Sequence, residues 1–342
     1  MIDKDKNKNI KNCLEFCPTD RDRDIIRYVA KYRFLTSVQL RLIIEGSEQQ
    51  IGRRASKLCE YGYLERIKIR LHAQNVGGSE PHIYALANAG AQHICEHDGT
   101  PKGKVNWNKK NKELKDRSHI RHQLLISNTM IHIERACREL NDVHFIDQAE
   151  ILERAKLDDV TCKIRWGYKG SNKDTKIIPD YVFGLKCDYI KQDENIIYYY
   201  LEADCSTETQ VSRTLSGSSI FKKMYEYIAA HRQKLLQTNF KNIYNFVLFV
   251  TLTETRWKNM IEVNRHEELT HGKGIDLFLF CDSEKIDKSS NMLLLPLVRG
   301  KEGTQQLAWA YPSVKKKMDP IQKPISERRS STLHLNNGKK RT

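Results

Sequence analysis

Ile177-Ile178-Pro179-Asp180-Tyr181-Val182-Phe183 and Ile196-Ile197-Tyr198-Tyr199-Tyr200-Leu201-Glu202-Ala203-Asp204 are two apolar runs that each carry acid at one end. Both have strand length and read as buried strands, since unbroken apolar runs put side chains on both faces of a sheet. A polar turn, Asp188 to Asn195, joins them as a hairpin. A carboxylate taken out of water is costly unless it is paired or bound. Acids at buried strand ends are therefore candidates for function. Asp180, Glu202 and Asp204 converging there would make a site for a hard divalent cation, Mg²⁺ or Mn²⁺.

Outward from the hairpin the pattern alternates. Upstream, His119 to Leu140 has apolar residues at helical spacing, followed by strand candidates at Val143 to Asp147 and Thr161 to Arg165. Downstream come a helix from about Ser219 to Leu236, a strand from Ile243 to Thr253, a helix near Thr255 to Arg265 and a strand from Ile275 to Cys281. Helices before, between and after strands predict an α/β fold, a mixed sheet flanked by helices.

The N-terminal part has a different rhythm. Thr19 and Asp20 offer an N-cap before Ile25, Ile26, Val29 and Tyr32. Phe34-Leu35-Thr36 ends that helix and caps the next, and Ser47 caps a third that runs through Ile51, Ala55 and Leu58 to Gly62. An alternating strand from Tyr63 to Ile69, the loop Gly77-Gly78-Ser79 and a strand from His82 to Leu86 complete a winged helix-turn-helix. The third helix would be the recognition helix, offering Gln49, Gln50, Arg53, Arg54 and Lys57, with Arg66, Lys68, Arg70 and His72 on the wing side. The alternative is a merely solvated helix face.

Charge agrees with a nucleic-acid partner. The 342 residues carry 58 Lys and Arg against 43 Asp and Glu, a net charge of +15. Such a surface suits a polyanion, double-stranded DNA in the first place. A basic linker with Lys102, Lys104, Lys109, Lys110, Lys112 and Lys115 and a basic tail from Lys315 add to it. The expected domains are an extension at 1–18, the winged helix at 19–98, the linker at 99–117, the α/β domain at 118–312 and a disordered tail at 313–342. No apolar run reaches the roughly 18 residues of a spanning helix, and the polar start, Met1 to Lys11, lacks a signal region. The expected location is cytoplasmic, with no membrane association. Nine scattered cysteines without a C-x-x-C spacing read as reduced thiols. With no Walker-type glycine loop, ATP hydrolysis is not expected.

In order, Ile177-Ile178-Pro179-Asp180-Tyr181, then Tyr200-Leu201-Glu202-Ala203-Asp204-Cys205-Ser206-Thr207-Glu208-Thr209, then Phe221-Lys222-Lys223-Met224-Tyr225-Glu226-Tyr227 resemble the PD-(D/E)xK, restriction-endonuclease-like superfamily. The pattern is closer to one branch, the replication-relaxation family of plasmid and mobile-element proteins, which pairs such a domain with an N-terminal winged helix. The resemblance spans roughly Asp20 to Cys281. It implies that Asp180 and Glu202 hold Mg²⁺. Asp204 stands where the superfamily usually has lysine, and the resemblance implies Lys222 or Lys223 from the following helix as a substitute, with Tyr225 beside Lys222. Glu134 on the first long helix is a possible further metal ligand. His122 is placed near the site or in the core.

Two functions follow from different classes. One is a metal-dependent DNA nuclease or nickase targeted by the winged helix. The other is a non-enzymatic replication, mobilisation or transposition factor with an inactive nuclease-like scaffold, in which Glu202 and Asp204 pair with Lys222 and Arg213. Ser206, Thr207 and Thr209 would contact phosphate or simply enter the helix, and Tyr198, Tyr199 and Tyr200 would pack the sheet. A tyrosine relaxase would want an H-x-H metal motif, which His119 and His122 do not supply. A homodimer or other mobile-element proteins are possible partners.

Overall fold

A computed structural model describes residues 16–69, 81–100, 105, 117–168, 171–190, 195–205, 219–240 and 244–308, the side chains of 165–168 and 171–174 excepted. Arg70, His72, the Gly77-Gly78-Ser79 loop, the linker lysines, Ser206, Thr207, Thr209, Arg213 and the tail lie outside them.

Three helices open the described chain: α1 (Asp20–Tyr32), α2 (Ser37–Ile43) and α3 (Glu48–Glu60). Each begins with a reciprocal capping box: Thr19 with Asp22, Thr36 with Gln39, and Ser47 with Gln50. Three strands, β1 (Phe34–Thr36), β2 (Leu64–Ile67) and β3 (Ile83–Leu86), form an antiparallel sheet in the order β1-β3-β2. The sequence reading gave Phe34-Leu35-Thr36 to a helix end. They form a strand because Phe34 and Leu35 are buried and pair with Ala85 and Tyr84. A helix not anticipated, α4 (Asn88–His97), packs so closely that a Cβ on Gly90 would lie 2.2 Å from the Tyr63 carbonyl oxygen.

The second part follows the expected alternation with additions. Its elements are α5 (Arg117–Glu139), β4 (Val143–Ile146), α6 (Gln148–Ala155), β5 (Cys162–Tyr168), β6 (Ser171–Ile177), β7 (Tyr181–Cys187), β8 (Ile196–Asp204), α7 (Ile220–Arg232), α8 (Leu235–Phe240), β9 (Asn245–Thr251), α9 (Glu254–Asn264), α10 (Glu267–Thr270), β10 (Phe278–Asp282), α11 (Ser283–Lys288), β11 (Leu297–Arg299) and β12 (Thr304–Gln305). Seven strands make one mixed sheet, β12-β11-β10-β9-β8-β7-β4, in which β8, β9 and β10 are parallel. β5 and β6 pair apart as a two-stranded ribbon. Expected as one strand, Ile177 to Leu185 is in fact broken. Ile178 is 55% exposed and β7 starts only at Tyr181, because Pro179 has no N–H to give a ladder and restrains the residue before it.

Helices cover both faces of this sheet. On one, Val182, Tyr198, Tyr200, Val247, Phe249 and Phe278 pack against Phe221, Met224 and Tyr227 of α7 and Met260 of α9. On the other, Phe183, Tyr199, Leu201 and Leu248 meet Leu125, Met130 and Ile133 of α5. Tyr198, Tyr199 and Tyr200 are all buried, so they pack the sheet. The α5 cluster continues without a break into Ile25, Leu40, Ile51 and Leu64 of the N-terminal elements. The two parts share this cluster across α5. No helix among the described residues is long and apolar enough to cross a membrane.

Candidate functional site

Residues two apart on a strand share a face. In β8 this puts Glu202 and Asp204 with Tyr198 and Tyr200, facing α7 and α9, and Ala203 on the opposite face. Glu202 is buried: Tyr227 of α7 donates to its Oε1 at 2.5 Å and Lys223 Nζ lies 2.9 Å from its Oε2. Both partners come from one helix face, since Lys223 and Tyr227 are one turn apart. Burial pushes the Glu202 carboxyl up to about 7, against the pull of Lys223 and Tyr227, and the nearby Asp180 charge adds to the rise.

Asp180 reaches the same place from the neighbouring strand. Its N–H donates to the Leu201 carbonyl at 3.1 Å, and its Oδ2 accepts from the Ala203 N–H at 2.8 Å. The same Oδ2 lies 3.1 Å from Nε2 of His122, which projects from α5. Burial works against a charged His122, but the bonded Asp180 carboxylate raises the imidazole pKa above its ordinary value. His122 is thus at the site, not in the core.

Asp204 has a different partner. Arg256 of α9 donates from Nε to Oδ2 at 2.5 Å and from Nη2 to Oδ1 at 3.4 Å. The expected structural partners were Lys222 and Arg213. Lys223 and Arg256 take those places instead, and Arg213 lies outside the described residues. Asp204 stands opposite Thr251, which stands opposite Asp282, so the carboxyl ends of three parallel strands line up. Asp282 is committed to capping α11 and to the Trp257 indole N–H at 3.0 Å.

The remaining candidates separate. Lys222 does not join Glu202; its charge acts on Glu226, whose carboxyl is raised by burial and bonded by Thr175. Tyr225 packs half-buried against the apolar cluster of that face. Glu134 is drawn elsewhere, bonded by Tyr28, Lys31 and Tyr32 of α1 and by Arg138. It lies twelve residues beyond His122 on α5, about 18 Å of helix, so it is not brought to the acids. No group of three or more His, Cys, Asp or Glu stands together as a metal site among the described residues.

On α3, Gln49, Arg53 and Lys57 are exposed, as are Arg66 on β2 and Lys68 beyond it. Lys57 lies over the Phe16 ring at 4.9 Å. Gln50 is used in the capping box, although exposed. Arg54 is not a free reader: it bonds Thr19 and the fully buried Asp22, with Nε 2.7 Å from Oδ1. Sequence reasoning missed Tyr227, Arg256 and Arg121. Tyr227 had a signal, its one-turn spacing from Lys223. Arg256 had none, because its partner lies 52 positions away. Arg121 of α5 sits near enough to Cys205 to counter part of the burial that lifts that thiol to about 11.

The family model described as replication-relaxation matches residues 26–244, well over half of the chain, from within α1 to the residue before β9. No curated protein and no solved structure matches.

Proposed function

The chain belongs to the replication-relaxation family, and from that premise we propose that it binds plasmid or mobile-element DNA and hydrolyses a phosphodiester bond there. The observation that carries the reading is the meeting of Asp180, Glu202 and a helix-borne lysine, Lys223, at adjacent strand ends. This supports a PD-(D/E)xK-like set in which the lysine would come from α7. Asp204 drops out of the proposed metal set, since Arg256 takes both of its oxygens.

The residues present suit a divalent cation. Mg²⁺ usually takes only one or two carboxylates and keeps waters for the rest. Among the described residues, the hydrogen bonds to the Asp180 carboxylate fall on Oδ2, which leaves Oδ1 for a ligand. Glu202 remains costly to ionise even beside Lys223, so further positive charge would be welcome there. Mg²⁺ or Mn²⁺, when bound, would polarise the phosphate and lower the pKa of a water. Asp180 and Glu202 would hold it. Lys223 would set its charge against the phosphate, His122 would orient Asp180, and Tyr227 would orient Glu202. The three helices with β2 and β3 would act as the winged helix, with Gln49, Arg53, Lys57, Arg66 and Lys68 toward the duplex.

A second reading, DNA binding without catalysis, is favoured by the bonds on every acid: Glu202 and Asp204 carry a partner on each oxygen. Incubation of supercoiled plasmid with the protein and Mg²⁺ or Mn²⁺ separates the two. Metal-dependent nicking lost in Asp180→Ala/Glu202→Ala, and kept in Asp204→Asn, is the expected result. Intact plasmid, with tight DNA binding in all variants, would replace the nuclease reading with the second.

A further inference from the structure

Arg33 closes α1 in a conformation that arginine rarely adopts. Its φ is 71° and its ψ −53°, in the region of the rare and strained γ-turn. Its guanidinium is half-buried, and Nε is shut off from solvent with no hydrogen-bond partner. Among the described residues no carboxylate pairs with it. Its Cζ lies 5.6 Å from the centroid of the Phe34 ring. Burial alone lowers its pKa. A cation held this way lacks the anion that ordinarily justifies its place, and strain of this kind gathers at ligand sites.

Its neighbours place it on the seam between α1 and α5. The preceding residue, Tyr32, lies 6.5 Å ring to ring from Tyr181, the residue after Asp180. The Tyr32 and Phe34 carbonyls on either side of Arg33 both accept from Ser127 of α5. That helix carries His122, the partner of Asp180, little more than one turn away. Arg33 therefore stands where the end of α1 and the start of β1 are pinned to α5. We propose that Arg33 is a phosphate clamp, gripping the backbone of the DNA that the N-terminal helical unit holds. This rests on the DNA-binding reading but not on catalysis. A phosphate offers the paired acceptors that a guanidinium fork fits.

A cation at a helix C-terminus also gains from the helix dipole, so the test must separate ligand from scaffold. The experiment titrates a fluorescent duplex oligonucleotide with the full chain across a salt series, beside thermal melting of each variant. Arg33→Gln is expected to weaken binding several-fold and to lower the salt slope by about one. Arg33→Lys should keep the slope. Arg33→Gly, which relieves the positive φ, should lose the same binding while melting at or above the wild-type temperature. Wild-type affinity and slope in Arg33→Gln and Arg33→Gly would overturn the clamp. So would a binding loss that only follows a falling melting temperature. A wild-type chain that fails to bind the duplex would sink the DNA-binding reading itself, and the clamp with it.

Discussion

Glu202 is the residue whose surroundings ask most of the fold. Its carboxyl titrates near 7 in place of an ordinary 4.5. A raised folded pKa favours the protonated form, so its contribution to stability is full below pH 4.5 and is lost as pH rises through 7. His122, raised through Asp180, acts in the same direction, with stability full below 6.5 and lost above its raised value. For Glu202 the loss is up to about 3 kcal/mol. Glu202→Gln does not titrate. Urea denaturation from pH 4 to pH 8 should therefore move in favour of the variant by that order. A constant gap between the two proteins would mean that Lys223 and Tyr227 compensate the charge in full. Mg²⁺ at pH 8 should raise the melting temperature of the wild type more than that of the variant.

Among the elements, α3 shows how one helix divides two jobs between adjacent residues. Arg54 turns inward to the buried Asp22, and Arg53 stays exposed. Arg54→Ala strands a buried carboxylate and should cost about 3 kcal/mol or more. Arg53→Ala should leave stability within about 0.5 kcal/mol, weaken duplex binding and lower its salt slope by about one. Melting curves and binding isotherms on the single variants check both halves. Unchanged binding in Arg53→Ala would reject α3 as the contact helix. Much of this element was legible in the sequence: Ser47 capped it, Gly62 followed it, and Ile51, Ala55 and Leu58 marked its inner face. Its neighbour Asp22 was not legible as a partner, because a contact across 32 positions leaves no periodic trace. The same limit hid Arg256 from Asp204. Asp180 and Glu202 could be placed together because a hairpin makes them local, and Lys223 because it enters on the next described helix. β1 escaped because a three-residue strand takes its identity from the partner it pairs with, and of the β5–β6 ribbon only β5 was anticipated, as Thr161 to Arg165.

At the scale of the molecule, α5 is an internal beam with the sheet on one side and the helical unit on the other. Glu134 fastens the second side, gathering Tyr28, Lys31, Tyr32 and Arg138. These bonds and the salt bridge to Lys31 outweigh the burial that opposes the charged carboxylate, so its pKa is lowered. Calorimetry of the wild type should show one cooperative transition, because the apolar cluster crosses the beam. Glu134→Ala, which leaves two tyrosine hydroxyls and a lysine without their acceptor, should cost about 3 kcal/mol and begin to split that transition. Two transitions in the wild type would contradict the shared core.

A beam packed on both sides opposes any swivel of one part against the other. On the proposed function, whatever stretch of duplex the helical unit held would lie at a constant span from Asp180 and Glu202, and the molecule would act as a ruler. The position of a scissile phosphate would then be counted in base pairs from the contacted sequence, and not chosen by the bases around it.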